Sequence, residues 1–132
     1  MEQTMSMLIV EDDGVTREVL GAMIARKFPD STIYFAENGR RGLDAFNEHA
    51  PEIVITDINM PEMDGIEMAA KIKSVKADVK FIVITAYGTT GFYEKFSRIG
   101  FSEFLSKPID FKRLFNAIEK CAAEITMERG SK

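Results

Sequence analysis

The sequence predicts a doubly wound α/β domain, a five-stranded parallel sheet with helices on both faces. Two observations carry that expectation. Short apolar runs at residues 7–10, 53–55 and 81–84, with a weaker one at 104–105 and a fifth candidate at 32–36, are nearly continuous rather than alternating. Strands buried on both faces of a parallel sheet have this character. Segments with helical spacing lie between the runs, so strand and helix alternate, and right-handed crossovers turn that order into such a sheet.

Taken in order, the run at 7–10 is followed by Val15, Val19, Leu20, Met23 and Ile24 at helical intervals, and the run at 32–36 by Leu43 and Phe46. Ile66, Ala69 and Ala70 follow the third run, and Phe92, Phe96 and Ile99 the fourth. Leu114, Ile118, Cys121, Ala122 and Ile125 close the chain with steps that keep one helix face apolar. Pro29-Asp30, Asn38-Gly39, Pro51, Asp64-Gly65, Tyr87-Gly88, Gly100 and Pro108 fall between elements, where turn chemistry belongs.

A length of 132 residues suits one domain, and 45% hydrophobic with 29% charged residues is a globular composition, neither disordered nor membrane-spanning. The net charge of −4 opposes attraction to a phosphate backbone, so no direct nucleic-acid binding is expected. A single cysteine, Cys121, and a single histidine, His49, allow neither an internal disulfide nor a Cys/His metal cage. The apolar run at 7–10 is too short for a signal-peptide core or a membrane span, and a reducing, cytoplasmic location is expected. Cys121 reads as a small filler of the last helix, His49 as a surface residue, and Met60 and Met63 as loop packing. Phe92, Phe96, Phe111 and Phe115 read as mostly core or near-core, with those on the fourth and fifth helices able to leave an apolar patch for a partner.

Doubly wound sheets place their sites outside the carboxyl ends of the strands. There the sequence puts Glu11, Asp12 and Asp13 after the first strand, Asp57 after the third, Thr85 at the end of the fourth and Lys107-Pro108 beyond the fifth. If the first and third strands are neighbours, Glu11, Asp12 and Asp57 share one cup. Two like charges 4 Å apart repel by about 4 kcal/mol at an effective dielectric of ~20, so a pKa rises or a cation enters. Oxygen-only ligands favour a hard divalent ion such as Mg²⁺. Lys107 adds a point positive charge and Thr85 a hydroxyl donor, a set able to stabilise a phosphoryl group in transfer to a carboxylate nucleophile. Taken singly, Asp57 reads as a helix or turn cap, the acidic run at 11–13 as an N-cap and Lys107 as a surface lysine; their convergence on one sheet edge argues otherwise.

The strings Leu8-Ile9-Val10-Glu11-Asp12-Asp13, Thr56-Asp57-Ile58-Asn59-Met60-Pro61-Glu62-Met63-Asp64-Gly65, Val83-Ile84-Thr85-Ala86 and Phe104-Leu105-Ser106-Lys107-Pro108 resemble the receiver domain of two-component response regulators. The likeness spans nearly the whole chain. It implies a flavodoxin-like strand order 2-1-3-4-5, a receiver domain over 6–125 and a C-terminal tail or linker start at 126–132. It also implies Asp57 as the phosphoacceptor, charged by a sensor histidine kinase or histidine phosphotransfer protein, with Lys107 and Thr85 assisting. Asp12, Asp57 and the Asn59 backbone carbonyl would hold Mg²⁺ directly, and Glu11 through water. Thr85 and Phe104 take the switch positions, with Asn59, Ala86 and Tyr87 flanking the phosphoryl group. The Lys107-Pro108 peptide is expected to be cis. The face formed by the fourth helix, fifth strand and fifth helix would carry the signal to a downstream effector or output domain. A weak homodimer is a further partner the resemblance admits.

Departures from the commonest pattern are mild: Glu11 replaces a frequent Asp, and Phe104 stands where Tyr is often found. The bulk of Asn59 and Tyr87 predicts slow hydrolysis. Three other readings compete. An aspartyl-phosphate-forming phosphatase wants a second carboxylate two residues after the nucleophile, where Asn59 stands. A flavin module of the same sheet order needs a Ser/Thr/Gly-rich phosphate loop, where Glu11-Asp12-Asp13 stands. A pseudo-receiver scaffold would lack a key residue, and none is missing. The expected protein is therefore a phosphorylation switch that converts no external metabolite.

Overall fold

A computed structural model describes residues 5–86 and 90–130, the side chains of 90–92 excepted. Strand and helix alternate strictly through β1 (Ser6–Val10), α1 (Gly14–Lys27), β2 (Thr32–Ala36), α2 (Gly39–His49), β3 (Ile53–Thr56), α3 (Gly65–Val75), β4 (Lys80–Thr85), α4 (Thr90–Ile99), β5 (Glu103–Ser106) and α5 (Phe111–Gly130). The strands pair in parallel in the order β2-β1-β3-β4-β5, the order the resemblance implies.

Side-chain alternation divides the core in two. Met7 and Ile9 of β1 point to one face with Ile53, Ile55, Ile82 and Ile84, where α1 contributes Leu20 and Ile24, and α5 contributes Leu114, Ile118 and Cys121. Leu8 and Val10 point to the other face, covered by Phe46 of α2, Met68 and Ile72 of α3, and Phe96 of α4. The central strands β1, β3 and β4 are buried along almost their whole length, which is why they read as continuous apolar runs. The edge strand β2 is largely exposed or half-buried, and it is the least apolar run after β5.

The helix starts are set by short polar side chains. Asp13, Asn38 and Asp64 accept the backbone N–H of Thr16, Arg41 and Glu67, capping α1, α2 and α3. Asp13 is thus a helix cap, and its bonds from the Thr16 hydroxyl and N–H hold its carboxyl below the usual range. Cys121 is fully buried, Met60 and Met63 are half-buried against the α2/α3/α4 side, and exposed His49 stacks on Tyr34 with ring centroids 4.0 Å apart. Phe96 is buried and Phe111 and Phe115 half-buried, while the Phe92 side chain lies outside the described residues.

Two helix faces differ from the periodic reading. Val15 and Val19 of α1 are 73% and 46% exposed, and the buried positions are Leu20, Gly21 and Ile24. At 100° per residue, Val15 and Val19 lie 100° or more around the helix from Leu20, away from the Leu20/Ile24 edge that meets the sheet. In α3, Ala70 is exposed and Met68 takes the buried place. The chain also remains helical past Ile125. Residues 126–130 continue α5 along the amino ends of the strands, where Glu128 meets Lys80 at 2.7 Å and Arg129 meets Glu52.

Candidate functional site

Strand register builds the site. Val10 of β1 pairs with Thr56 of β3, so the two strands end level and the residues after them, Glu11 and Asp57, emerge side by side. The Asp57 N–H still bonds the Val10 carbonyl at 3.1 Å, and the Glu11 N–H the Ala36 carbonyl at 3.0 Å, carrying the sheet pattern one residue beyond each strand. Both acids are consequently buried, Glu11 to 2% and Asp57 to 8% exposure, while Asp12 is exposed at the lip. Carboxylate oxygens of Glu11, Asp12 and Asp57 lie within 4.8 Å of one another.

Lys107 closes the cup from the far side of the sheet. Its N–H bonds the Thr85 carbonyl at 2.8 Å, extending the β4–β5 pairing, and the Lys107-Pro108 peptide is cis. Its Nζ donates to Glu11 Oε1 at 3.1 Å and Asp57 Oδ2 at 2.9 Å. The other Asp57 oxygen, Oδ1, accepts the Ile58 N–H at 2.6 Å, and Glu11 Oε2 accepts the Asp13 N–H at 3.1 Å. Ile58 and Asp13 act here through backbone N–H groups, and Arg17 Nη1 steadies the Glu11 carbonyl at 2.7 Å. Asp13 stands in the acidic run that the sequence marks but serves the site through its N–H, whereas Ile58 and Arg17 carry no such mark, because a backbone donor has no side-chain signature and Arg17 reaches back from inside a helix.

The electrostatics follow from burial. Loss of water pushes the Glu11 pKa up, and neighbouring Asp57 adds to that push against the Asp13 N–H and Lys107. Burial works to lower the Lys107 pKa, but bonds to Asp57 and Glu11 outweigh it and lift the ammonium above its usual range. One ammonium set among three carboxylates leaves the cup negative. An oxygen-only, negatively charged cup with an exposed carboxylate at its lip fits a hard divalent cation.

Thr85 is fully buried at the end of β4, and its hydroxyl has no hydrogen-bond partner among the described residues. Asn59 and Ala86 are exposed beside the site, and Tyr87 lies outside the described residues. Phe104 pairs with Val83 in register and is half-buried on the α2/α3/α4 side, its ring 5.3 Å from Tyr93 and 5.4 Å from Phe101.

Residues 7–119 match the response regulator receiver domain as a family. The chain belongs to that family. The receiver is 32% identical to the chemotaxis protein CheY of Bacillus subtilis over 113 residues, 86% of this chain and 93% of CheY. It also matches longer regulators, and spans about a third of YesN of Bacillus subtilis at 29% identity. Among solved structures, the N-terminal domain of an uncharacterized Wolinella succinogenes protein superposes with a TM-score of 0.87 at 36% identity, over 94% of this chain and 98% of that one. The CheX-CheY-BeF3-Mg²⁺ complex of Borrelia burgdorferi superposes at 0.81 with 25% identity, over 88% of this chain and 87% of that one. The receiver is accordingly a phosphorylation-dependent signalling module. No helix among the described residues is long and apolar enough to cross a membrane.

Proposed function

We propose that this receiver takes a phosphoryl group onto Asp57 from a phosphohistidine of a sensor kinase or phosphotransfer protein. The supporting observation is the Lys107 ammonium bridging Glu11 and Asp57 inside a buried acidic cup. An Asp57 carboxylate oxygen attacks phosphorus; the new P–O bond forms as the P–N bond breaks, and the donor imidazole leaves with that electron pair. Lys107 keeps its proton and stays beside the developing phosphoryl oxygens. The buried Thr85 hydroxyl, which has no partner among the described residues, turns its proton toward an added phosphoryl oxygen.

Asp12, Asp57 and the Asn59 carbonyl would hold Mg²⁺, with Glu11 acting through water. Bound there, the cation neutralises charge between the carboxylates and the incoming phosphoryl group. Asn59, Ala86 and Tyr87 flank the phosphoryl site, and the protein catalyses only its own phosphorylation and dephosphorylation. Residues 6–125 form the working unit, and 126–132 lead out of it. Phe104 and the α4/β5/α5 face pass the state to an effector or output domain, without direct contact to nucleic acid, in the cytoplasm, with weak self-association as an accompanying property.

Incubation with acetyl phosphate and Mg²⁺ is expected to add one phosphate by intact mass. Asp57→Asn and EDTA are each expected to abolish the gain. Full labelling of the Asn variant would place the acceptor elsewhere, and full labelling in EDTA would remove the metal from the reading.

A further inference from the structure

The pair Asn38-Gly39 reads in the sequence as punctuation, yet Gly39 touches the loop that leaves Asp57. As the first residue of α2, Gly39 donates its N–H to the Met63 carbonyl at 2.9 Å. A Cβ on Gly39 would collide with that oxygen and would lie 2.8 Å from the Met63 carbonyl carbon and 3.0 Å from Asp64 O. All three are backbone atoms, with no rotamer through which to move aside. The other end of the loop is held in the same manner: Gly65 donates to the Ile58 carbonyl at 2.8 Å, and a Cβ there would collide with the Asp57 carbonyl and approach Ile58 Cα to 3.1 Å.

Between these two clamps the loop is strained. Glu62 sits at φ 69°, in a three-residue turn closed by the Met63 N–H on the Pro61 carbonyl at 2.8 Å. A non-glycine residue at positive φ persists only where its surroundings over-determine it. The Gly39 bond grips the residue directly after Glu62, so the strained turn is held by a helix from a different βα unit.

We infer that Gly39 is a positioning residue for the loop at 58–64: its missing side chain lets the first N–H of α2 seize Met63, and this sets where the Asn59 carbonyl stands. The inference rests on the reading that this loop faces a divalent cation. Outer groups that orient a metal's ligands typically change affinity 10- to 100-fold when altered. Gly39→Ala must push Met63 away, open the bond and release the turn, while Asp57 keeps its bonds to Ile58 and Lys107.

Mn²⁺ titration of the full chain, read by the electron paramagnetic resonance of the free ion, tests this. Gly42→Ala, on the same helix as Gly39, serves as the matched variant, because a Cβ there would press on side-chain atoms, Met68 Sδ of α3 at 2.5 Å and Val10 Cγ2 of β1 at 3.1 Å, and on no backbone atom of the loop. Gly39→Ala is expected to weaken Mn²⁺ binding about tenfold or more, and Gly42→Ala to lower the melting temperature with Mn²⁺ binding unchanged. Wild-type affinity in Gly39→Ala, or equal losses in both variants, overturns the inference. Should Gly39→Ala not fold, hydrogen exchange in the wild type decides: Mg²⁺ is expected to slow exchange at the Gly39 amide more than at the Gly42 amide, and equal responses overturn it. Wild-type Mn²⁺ binding that is absent, or that survives Asp12→Ala undiminished, overturns the metal reading and this inference with it. Loss confined to the comparison of the two glycine variants leaves the metal reading standing.

Discussion

Glu11 is where burial and charge work against each other. Loss of water raises its pKa above the ordinary 4.5, so the folded protein retains a proton that the unfolded chain has released. The stability this proton brings is fully present below pH 4.5 and is lost as pH rises through the raised folded value. Glu11→Gln, neutral and nearly isosteric, is therefore expected to raise the metal-free melting temperature at pH 7 by about 3 °C, on the order of 1 kcal/mol. The gain should vanish below pH 4.5. Thermal melts of both proteins across pH check this; a less stable Gln variant at pH 7 would show that the Lys107 bond outweighs desolvation. The same proton competes with a cation, so Mg²⁺ affinity should begin to fall at a higher pH than an unperturbed glutamate dictates.

At the scale of elements, α4 and β5 are joined by rings. Tyr93 meets Phe101 and Phe104 edge-on at 5.3 Å each, and Phe101 reaches Phe96, which in turn meets Phe81 of β4. Such pairs contribute about 0.5–1.5 kcal/mol each beyond their buried area. Phe104 is thus already half inside, braced by α4, and Thr85 of the neighbouring strand pairs with Ser106, two residues beyond Phe104 in β5. Beryllofluoride with Mg²⁺, which mimics an aspartyl phosphate, is expected to shift backbone amides at Tyr93, Phe101 and Phe104 as well as around Asp57. Shifts confined to Glu11, Asp12 and residues 57–62 would show that α4 and β5 do not respond.

The whole molecule couples a strained, negatively charged edge to a sheet buried on both faces. Like charges gathered at the carboxyl ends of β1 and β3 oppose folding, while the two apolar clusters drive it. A cation that binds only the folded cup stabilises the entire domain. At a hundredfold excess over Kd, Mg²⁺ is expected to add about 2.7 kcal/mol, read as a concentration-dependent rise in melting temperature that EDTA reverses. An unchanged melt across millimolar Mg²⁺ would show that no cation binds preferentially to the fold. At the opposite edge, Lys80 takes Glu124 and Glu128, and Arg129 takes Glu52, so the end of α5 is tied to the starts of β3 and β4.

Much of the fold was legible because its signals are local. Continuous apolar runs marked β1, β3 and β4, the spacing of Leu114, Ile118 and Cys121 marked the α5 face, and acids or lysine just past strand ends marked Glu11, Asp57 and Lys107. Each is a property of a few adjacent residues and a known period. What only the tertiary structure decided involves distant elements meeting. Val15 and Val19 carry the same apolar chemistry as Leu20, but the angle at which α1 meets the sheet leaves them outside. Phe104 is half-buried because Tyr93 and Phe101 come together over it. Residues 126–130 are polar as a string, yet Lys80 and Glu52 give their charges partners and α5 runs on. Gly39 meets Met63 backbone to backbone, a contact set by the register of two βα units, and glycine advertises it only by having no side chain to forbid it.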